Sequence, residues 1–260
     1  MTRVLSGAVL IAIAIAVVWF ASTSVFLAVA IALQGAAVIE LLGLGRASGM
    51  NISTWPALAA SGMAAAVVGT PYNFAVEACL MTAFVGIAVV ALSTWRGGTG
   101  AFADVSGSLF PALYVGLPVG AMVGIRNGGG PQVLFLLMLT VIVSDSAQYY
   151  TGRLFGRRPL APIASPKKTI EGALGGFVFG TAAFTVVAQW WLPIAIPFRL
   201  VLGLTIVALG IIGDLFESML KRSAGVKDSS GLIPGHGGVL DRIDALLFAA
   251  PVYYIVLKYV

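Results

Sequence analysis

The sequence has little charge, one cysteine and one histidine. Charged residues make up 10% of its 260 positions, whereas hydrophobic residues make up 59% and the mean hydropathy is +1.01. This composition excludes an ordinary soluble domain and indicates an integral membrane protein. The single cysteine, Cys79, lies in an apolar run and has no second cysteine to pair with, so cysteine usage does not indicate a redox compartment.

Long apolar runs with short gaps predict an all-α, polytopic membrane fold. A helix needs about 20 apolar residues to span a bilayer, so the short gaps leave little room for a soluble domain. We interpret 1–260 as one transmembrane domain, with apolar scaffold helices over 1–125 and catalytic helices and loops over 126–260. The nine predicted spans are 4–20, 24–44, 55–70, 75–94, 109–125, 131–151, 171–192, 198–221 and 240–258.

The basic residues predict which side of the membrane the loops face. With a cytoplasmic amino terminus, nine spans leave only Arg126, Arg199 and Lys258 of the fifteen Lys and Arg residues outside. The positive-inside rule therefore favours a cytoplasmic start and an external end. The first apolar run follows Arg3, but it is long for a signal peptide and further spans follow, so a retained first helix is expected.

Two glycine ladders put small residues along one helix face. The first is Gly116, Gly120 and Gly124, and the second is Gly172, Gly176 and Gly180. A helix face made of small residues lets a second helix approach closely in lipid. The ladders fit either packing within one chain, which we favour, or a dimer face.

Charge is concentrated in one stretch, residues 214–244. It holds five of the ten acidic residues, four of the fifteen basic residues and the only histidine. Charge is costly inside a membrane, so this concentration indicates that something polar binds there. Helical spacing places four polar side chains on one face of the eighth predicted helix and two carboxylates in the first turn of the ninth. The residues are Asp214, Glu217, Ser218 and Lys221, then Asp241 and Asp244.

A glycine-rich loop, Gly235-His236-Gly237-Gly238, joins these two helices. Glycine permits close backbone approach, and successive N–H groups can wrap a phosphate oxygen. Carboxylates beside such a loop and basic residues predict a hard-cation site, because Mg²⁺ takes carboxylates, waters and substrate phosphates. The parts suit phosphoryl or nucleotidyl transfer. A structural ion-pair network is the alternative, and His236 fits a metal ligand, a proton donor or a loop hydrogen bond.

Two further polar regions lie on the predicted cytoplasmic side. Paired lysines near a helix start, Lys167 and Lys168, can hold a polyphosphate, and Thr169 is predicted to cap the helix that carries Glu171. The spacing is not that of a Walker A loop, and a basic loop that only sets topology is the alternative.

The inner end of the sixth predicted helix is the other polar region. Asp145, Gln148 and Tyr149 share one face there. Asp145 is expected to face the protein interior, because a carboxylate against lipid is costly. The alternative is a structural hydrogen bond or ion pair.

Three segments of the carboxy-terminal half carry a longer pattern. The longest is Ser218-x-x-Lys221-Arg222-x-x-x-x-Lys227-Asp228 followed by Pro234-x-His236-Gly237-Gly238-x-x-Asp241-Arg242-x-Asp244. The second is Ser165-Pro166-Lys167-Lys168-Thr169-x-Glu171-Gly172, and the third is 145–153. Together they resemble the phosphatidate cytidylyltransferase (CDP-diacylglycerol synthase) family, in which a small residue usually stands at the position of Gln148. The first hundred residues resemble the family only as apolar spans.

The resemblance implies that CTP and phosphatidic acid give CDP-diacylglycerol and pyrophosphate. It also implies a Mg²⁺ requirement, a second cation expected to be K⁺, a homodimer and a place in the bacterial inner membrane with the active site facing the cytoplasm. The catalytic residues expected are Asp214, Lys221, Arg222, Lys227, His236, Asp241 and Arg242. The expected phosphate-binding residues are Lys167, Lys168, Thr169, Ser218, Gly235, Gly237 and Gly238. The metal ligands expected are Asp214 and Asp241, with Asp145, Glu217 and Asp244 as further candidates.

Two other functions fit parts of the sequence. A CTP-dependent lipid kinase of the polyprenol or dolichol type would transfer the γ-phosphoryl group instead. An anion or lipid transporter would carry charges near the middle of the bilayer in several helices. In this sequence the polar groups gather at one predicted face, which favours an enzyme.

Overall fold

The computed structural model of the chain is almost entirely helical. It describes residues 2–70, 75–233, 235 and 237–259, with the backbone alone at 2–6, 8 and 10. Each of the nine predicted spans coincides with a helical segment. The helices are α1 (Thr2–Phe20), α2 (Thr23–Ala47), α3 (Thr54–Gly69), α4 (Val76–Thr94), α5 (Ala101–Pro111), a π-helical turn (Ala112–Gly116), α6 (Leu117–Gly129), α7 (Pro131–Phe155), α8 (Ile170–Trp191), α9 (Ile196–Ser223) and α10 (Leu240–Leu257).

Six helical segments among the described residues are long and apolar enough to cross a membrane. They are Thr23–Ala47, Val76–Thr94, Ala101–Gly129, Pro131–Phe155, Ile170–Trp191 and Ile196–Ser223. The other three predicted spans are helical but differ in character. In α1 the apolar segment is short, Ile11–Phe20, and α3 has only 16 residues. Helix α10 has three charged residues among its first five. The chain is therefore a polytopic membrane protein.

The helical segment that contains the predicted span 109–125 is longer than predicted. It begins at Ala101 and includes a π-helical turn. Pro111 lies inside this helix, directly before the π turn at Ala112–Gly116. Proline has no N–H to donate and its ring clashes with the preceding turn, so the regular hydrogen-bond ladder is interrupted there. Apolar periodicity alone does not reveal such an interruption.

The loop between α7 and α8 contains a short hairpin that the all-α expectation missed. Strand β1 (Pro159–Ala161) pairs antiparallel with β2 (Ser165–Thr169), and Pro159 lies opposite Thr169. Strand β2 contains both paired lysines. The hairpin runs directly into α8, so these lysines are fixed to the start of a helix.

The chain divides into two compact units. Unit 1 comprises Met1–Gly124 and Ser223–Arg242, and unit 2 comprises Ile125–Arg222 and Ile243–Val260. Each has its own packed centre. Unit 1 buries Ala60, Ala64, Ala83, Ile87 and Ala112, and unit 2 buries Ala173, Val207 and Ile211.

Both glycine ladders pack within the chain. In unit 1, a Cβ added at Gly116 or Gly120 would lie within 3 Å of the backbone of α3. In unit 2, a Cβ at Gly176 would lie 2.6 Å from Gln148 Cγ on α7. The prediction of packing within one chain is confirmed at these positions.

The variant Gly180→Ala is expected to destabilise unit 2. Its new Cβ would lie 2.7 Å from Val207 Cγ2 and 2.9 Å from Ser144 Cβ, and neither neighbour is the end of a flexible side chain. Overpacking of this kind costs about 1–3 kcal/mol. A lower midpoint of thermal unfolding in detergent is the expected result.

The matched control is Gly86→Ala on α4, where a Cβ would meet nothing within 4 Å. Alanine favours the helix by about 1 kcal/mol over glycine, so this variant should unfold at the wild-type temperature or above it. Equal midpoints for the two variants would contradict the close packing of α8 against α7 and α9.

Candidate functional site

Unit 2 brings four carboxylates together in what we call the acidic cluster, Asp145, Asp214, Glu217 and Asp244. Asp145 lies on α7, Asp214 and Glu217 lie on α9, and Asp244 is the fifth residue of α10. Their charges interact, since Asp244 is influenced by each of the other three and Asp145 by Asp214. Like charges collected in this way repel one another unless a cation is near.

Gly213 explains how α9 and α10 approach within the cluster. A Cβ there would lie 2.6 Å from the carbonyl oxygen of Asp244 and 3.2 Å from Phe248 Cβ. Any larger residue before Asp214 would push the two helices apart. The glycine therefore allows Asp214 and Asp244 to belong to one cluster.

Two lysines partly neutralise the acidic cluster. Lys168 on β2 forms an ion pair with Asp214. On α9 the Lys221 ammonium lies 2.5 Å from Glu217, whose side chain is fully buried. Glu217 precedes Lys221 by four residues, the favourable order for a helical pair. A buried pair of this kind is costly to break, because removing one partner leaves the other charge uncompensated.

Asp145 faces the other carboxylates of the cluster, as expected of a side chain turned toward the protein, and its residue is also accessible at the surface. Gln148 donates to Asp145 at 3.0 Å and contacts Ser144 at 3.3 Å. The glutamine that departs from the family pattern thus holds the carboxylate of the cluster. Tyr149 is 59% exposed, so this helix end lies at an accessible surface.

The hairpin is anchored to α8 by two side chains. Thr169 caps α8, as predicted, because its hydroxyl accepts a hydrogen bond from Gly172 N at 3.0 Å. Glu171 accepts hydrogen bonds from the backbone N–H groups of Arg157 and Arg158, and its carboxylate lies 3.2 Å from Arg158 Nε. These bonds order the loop on both sides of Lys168.

Unit 1 holds the second group of predicted site residues, in what we call the glycine loop, residues 229–239. Gly237 has φ +78°, and a Cβ there would lie 2.6 Å from Asp241 Oδ2. That oxygen accepts from Ser229 N at 2.9 Å, Ser229 Oγ at 2.7 Å and Gly238 N at 2.8 Å. Asp241 therefore holds the loop against the start of α10, in addition to any role with a ligand.

Glu40 on α2 also contacts the glycine loop, although it was not among the predicted site residues. Its Oε1 accepts from Ser230 Oγ at 2.7 Å and Val239 N at 3.0 Å. Its Oε2 accepts from Ser229 Oγ at 2.9 Å and Leu240 N at 2.8 Å. A charged residue inside an apolar run was a usable signal, but only the fold reveals its partners.

The remaining predicted site residues fall in two groups. His236 lies outside the described residues. Four basic side chains are exposed, which suits contact with a ligand from solvent or the membrane surface. They are Lys167 and Arg222 in unit 2 and Lys227 and Arg242 in unit 1. Ser218 lies 3.5 Å from Asp214 Oδ1, and Gly235 has φ +78°.

The donor set of the acidic cluster fits a magnesium ion. Within the described ranges, no three Asp, Glu, His or Cys side chains form a ready-made metal site. Mg²⁺ does not need one, since it usually binds one or two carboxylates and completes its shell with water and substrate phosphates. One oxygen of the Asp214 carboxylate pairs with the Lys168 ammonium, and the other oxygen is the one nearer to Ser218. Asp214 and Asp241, predicted to share a metal, belong to unit 2 and unit 1 respectively.

The chain is similar to known cytidylyltransferases. A model of the cytidylyltransferase family matches residues 1–260. The chain is 33% identical over 258 residues to a phosphatidate cytidylyltransferase of Helicobacter pylori strain J99, covering 99% of this chain and 92% of that protein. It is 39% identical over 181 residues to the protein of that name from Thermotoga maritima, covering 67% of each. For the Bacillus subtilis protein of that name the identity is 38% over 161 residues, covering 60% of this chain and 59% of that protein.

Proposed function

Because the chain belongs to the cytidylyltransferase family, we propose that it transfers the cytidylyl group of CTP to phosphatidic acid. The products are CDP-diacylglycerol and pyrophosphate, and the process served is phospholipid biosynthesis. The observation that carries this proposal is the acidic cluster with the Lys168 ion pair on Asp214, in a membrane chain of this family.

The reaction needs little acid–base chemistry. An oxygen of the phosphatidic acid phosphate attacks the α-phosphorus of CTP, a new P–O bond forms, and the bond from the α-phosphorus to the bridging oxygen breaks. Pyrophosphate leaves with that electron pair. Because the nucleophile is already an anion, the protein contributes mainly by positioning the reactants and neutralising charge.

The cationic residues neutralise the phosphates in this proposal. Lys168, held by Asp214 and carried on an anchored hairpin, can turn to a triphosphate without moving its backbone. The exposed bases add charge around the substrates, and the N–H groups of the glycine loop donate to phosphate oxygens. These bases are Lys167, Arg222, Lys227 and Arg242.

Asp214 would hold Mg²⁺ in this proposal, with Asp145, Glu217 and Asp244 of the same unit completing the negative environment. The ion would supply electrophilic stabilisation of the triphosphate charge. The Asp241 carboxylate also accepts the hydrogen bonds from Ser229 and Gly238 that hold the glycine loop. A second, monovalent cation, K⁺, would further balance the four carboxylates of the acidic cluster.

The proposed setting is the bacterial inner membrane, with the site on the cytoplasmic side. CTP is available there, and that orientation keeps all but three of the fifteen basic residues inside. The acyl chains of the lipid remain in the bilayer. We also propose a homodimer, and since Gly116, Gly120 and Gly176 pack within the chain, its interface uses other faces.

Product identification tests the proposed function. Purified protein in detergent is incubated with CTP and either phosphatidic acid or a polyprenol, with and without Mg²⁺, and the products are identified by mass spectrometry. CDP-diacylglycerol and pyrophosphate in equal amounts, formed only with Mg²⁺, are expected. CDP with a newly phosphorylated polyprenol would instead identify a lipid kinase, and no turnover of CTP with any lipid would contradict an enzymatic role.

A further inference from the structure

Glu40 is a buried carboxylate in the first half of the chain, far in sequence from the residues that carry the family signature. Its side chain lies on α2 and the residue is 7% exposed. Four donor groups lie within hydrogen-bond distance of it, two at each oxygen, on Ser229, Ser230, Val239 and Leu240, and the Ser229 hydroxyl is shared with Asp241. Four donors satisfy the acceptor capacity of a carboxylate. All four donors are neutral groups.

The four donors come from the two ends of the glycine loop. Ser229 and Ser230 begin the loop, Val239 ends it, and Leu240 is the first residue of α10. One side chain thus closes the loop at its base. Because Glu40 lies within a long helix of unit 1, the loop ends are held against a rigid support.

Glu40 also caps α10. The first N–H groups of a helix lack partners within the helix, and Ser, Thr, Asp or Asn before the helix usually satisfies them. Here the preceding residue is Val239, whose apolar side chain cannot do so. Glu40 accepts from the N–H groups at this point instead, and its charge is favourable at a helix amino terminus.

A shared hydroxyl connects Glu40 to Asp241. Ser229 Oγ lies 2.9 Å from Glu40 Oε2 and 2.7 Å from Asp241 Oδ2. The hydroxyl has one proton, so its orientation depends on both carboxylates. Changing Glu40 therefore changes the hydrogen bonding of Asp241 without a direct contact between the two.

We propose that Glu40 is a positioning residue, which holds the glycine loop and the first turn of α10 in the conformation used for cytidylyl transfer. This inference rests on the proposed function for its catalytic consequence. Its structural part, the closure of the loop by Glu40, stands on unit 1 alone.

The variant Glu40→Gln tests the proposal. Glutamine has nearly the same shape, but its amide nitrogen cannot accept from a backbone N–H, so at least one end of the loop loses its support. Small displacements of catalytic groups cost about 100-fold in rate, and a loss of that order in kcat is expected. Hydrogen–deuterium exchange should become faster in peptides covering 227–240 and stay unchanged elsewhere. Glu40→Asp keeps the charge and should recover part of kcat.

The control is Glu77→Gln on α4, the same substitution at an exposed position of unit 1. It should keep wild-type kcat and wild-type exchange in the loop. A Glu40→Gln protein with wild-type kcat and unchanged loop exchange would overturn the proposal. So would faster exchange throughout the chain with normal activity per folded molecule, because that result indicates a purely structural role.

A second variant covers the case in which Glu40→Gln does not fold. Ser230→Ala removes one donor to Glu40 and should lower kcat and speed loop exchange to a smaller extent. Wild-type values for Ser230→Ala would then count against the proposal.

If wild-type protein and Glu77→Gln made no CDP-lipid, the proposed function would fail, while the exchange comparison would still test the loop closure.

Discussion

Replacing Asp214 by asparagine is expected to lower kcat about 1,000-fold while the protein stays folded. Asn keeps the shape of the side chain but removes the charge that holds Lys168 and that faces the other carboxylates of the acidic cluster. Loss of one electrostatic contact to the transition state typically costs about 100- to 1,000-fold, and here a proposed metal ligand is also lost. The measurement is steady-state formation of CDP-diacylglycerol at saturating CTP and phosphatidic acid.

The control is Asp104→Asn, the same change at a carboxylate that accepts from Asn51 N at 2.7 Å in unit 1. It should retain kcat within about threefold, as expected of surface changes away from a site. Thermal unfolding and size-exclusion profiles confirm that both variants fold. An Asp214→Asn protein with near-normal turnover in the presence of Mg²⁺ would rule out the proposed role of the acidic cluster.

Asp214 is a sharper test than Asp241. The Asp241 carboxylate accepts three hydrogen bonds from Ser229 and Gly238, so Asp241→Asn disturbs the glycine loop as well as any bound ion. A loss of activity there has two explanations. The Asp214 carboxylate accepts hydrogen bonds from the side chains of Lys168 and Ser218, so an asparagine at this position leaves the backbone of α9 in place.

Gly238→Ala is expected to lower kcat by about 100-fold. Gly238 is buried, and a Cβ added to it would overlap Ser229 Oγ and the carboxylate of Glu40. The loop or Glu40 must move to admit the methyl group, which breaks the bonds that fix the loop ends. Displacements of that kind account for losses of this size. Initial rates with CTP and phosphatidic acid measure the effect.

Gly231→Ala provides a control in the same loop. A Cβ at Gly231 would meet nothing within 4 Å, and its backbone is outside the left-handed region. This variant should keep activity within about threefold of wild type, as for other substitutions away from packed or functional features. Equal losses of activity for Gly231→Ala and Gly238→Ala would mean that the loop tolerates no side chain at either position. The close packing of Gly238 against Glu40 would then not be the cause of the lower kcat.

Much of the helical architecture is predictable from the sequence, because apolar runs of sufficient length have few alternatives in a membrane. The predicted start of α7 at residue 131 agrees with the structure, and Thr169 was identified as a cap from residue type and position. Both predictions rest on local chemistry. The hairpin β1–β2 was missed because its strands have three and five residues, too few to show a strand pattern.

The candidate site was only partly predictable. Asp214 and Glu217 follow from helical spacing on one element, and the resemblance brought in Lys168 from another. Glu40 could not be assigned from the sequence, because its partners lie about 190 to 200 positions further along the chain. Long-range pairing of this kind depends on how the helices pack, which residue spacing along one helix does not encode.

The central claim is that Asp214 and its neighbouring carboxylates hold a divalent cation together with CTP. Binding of Mn²⁺, a paramagnetic substitute for Mg²⁺, can be measured by electron paramagnetic resonance on wild type, Asp214→Asn and Asp104→Asn, with and without CTP. We expect CTP to promote tight Mn²⁺ binding to wild type and Asp104→Asn and to leave Asp214→Asn with little bound ion. Equal CTP-dependent Mn²⁺ binding in all three proteins would contradict the claim.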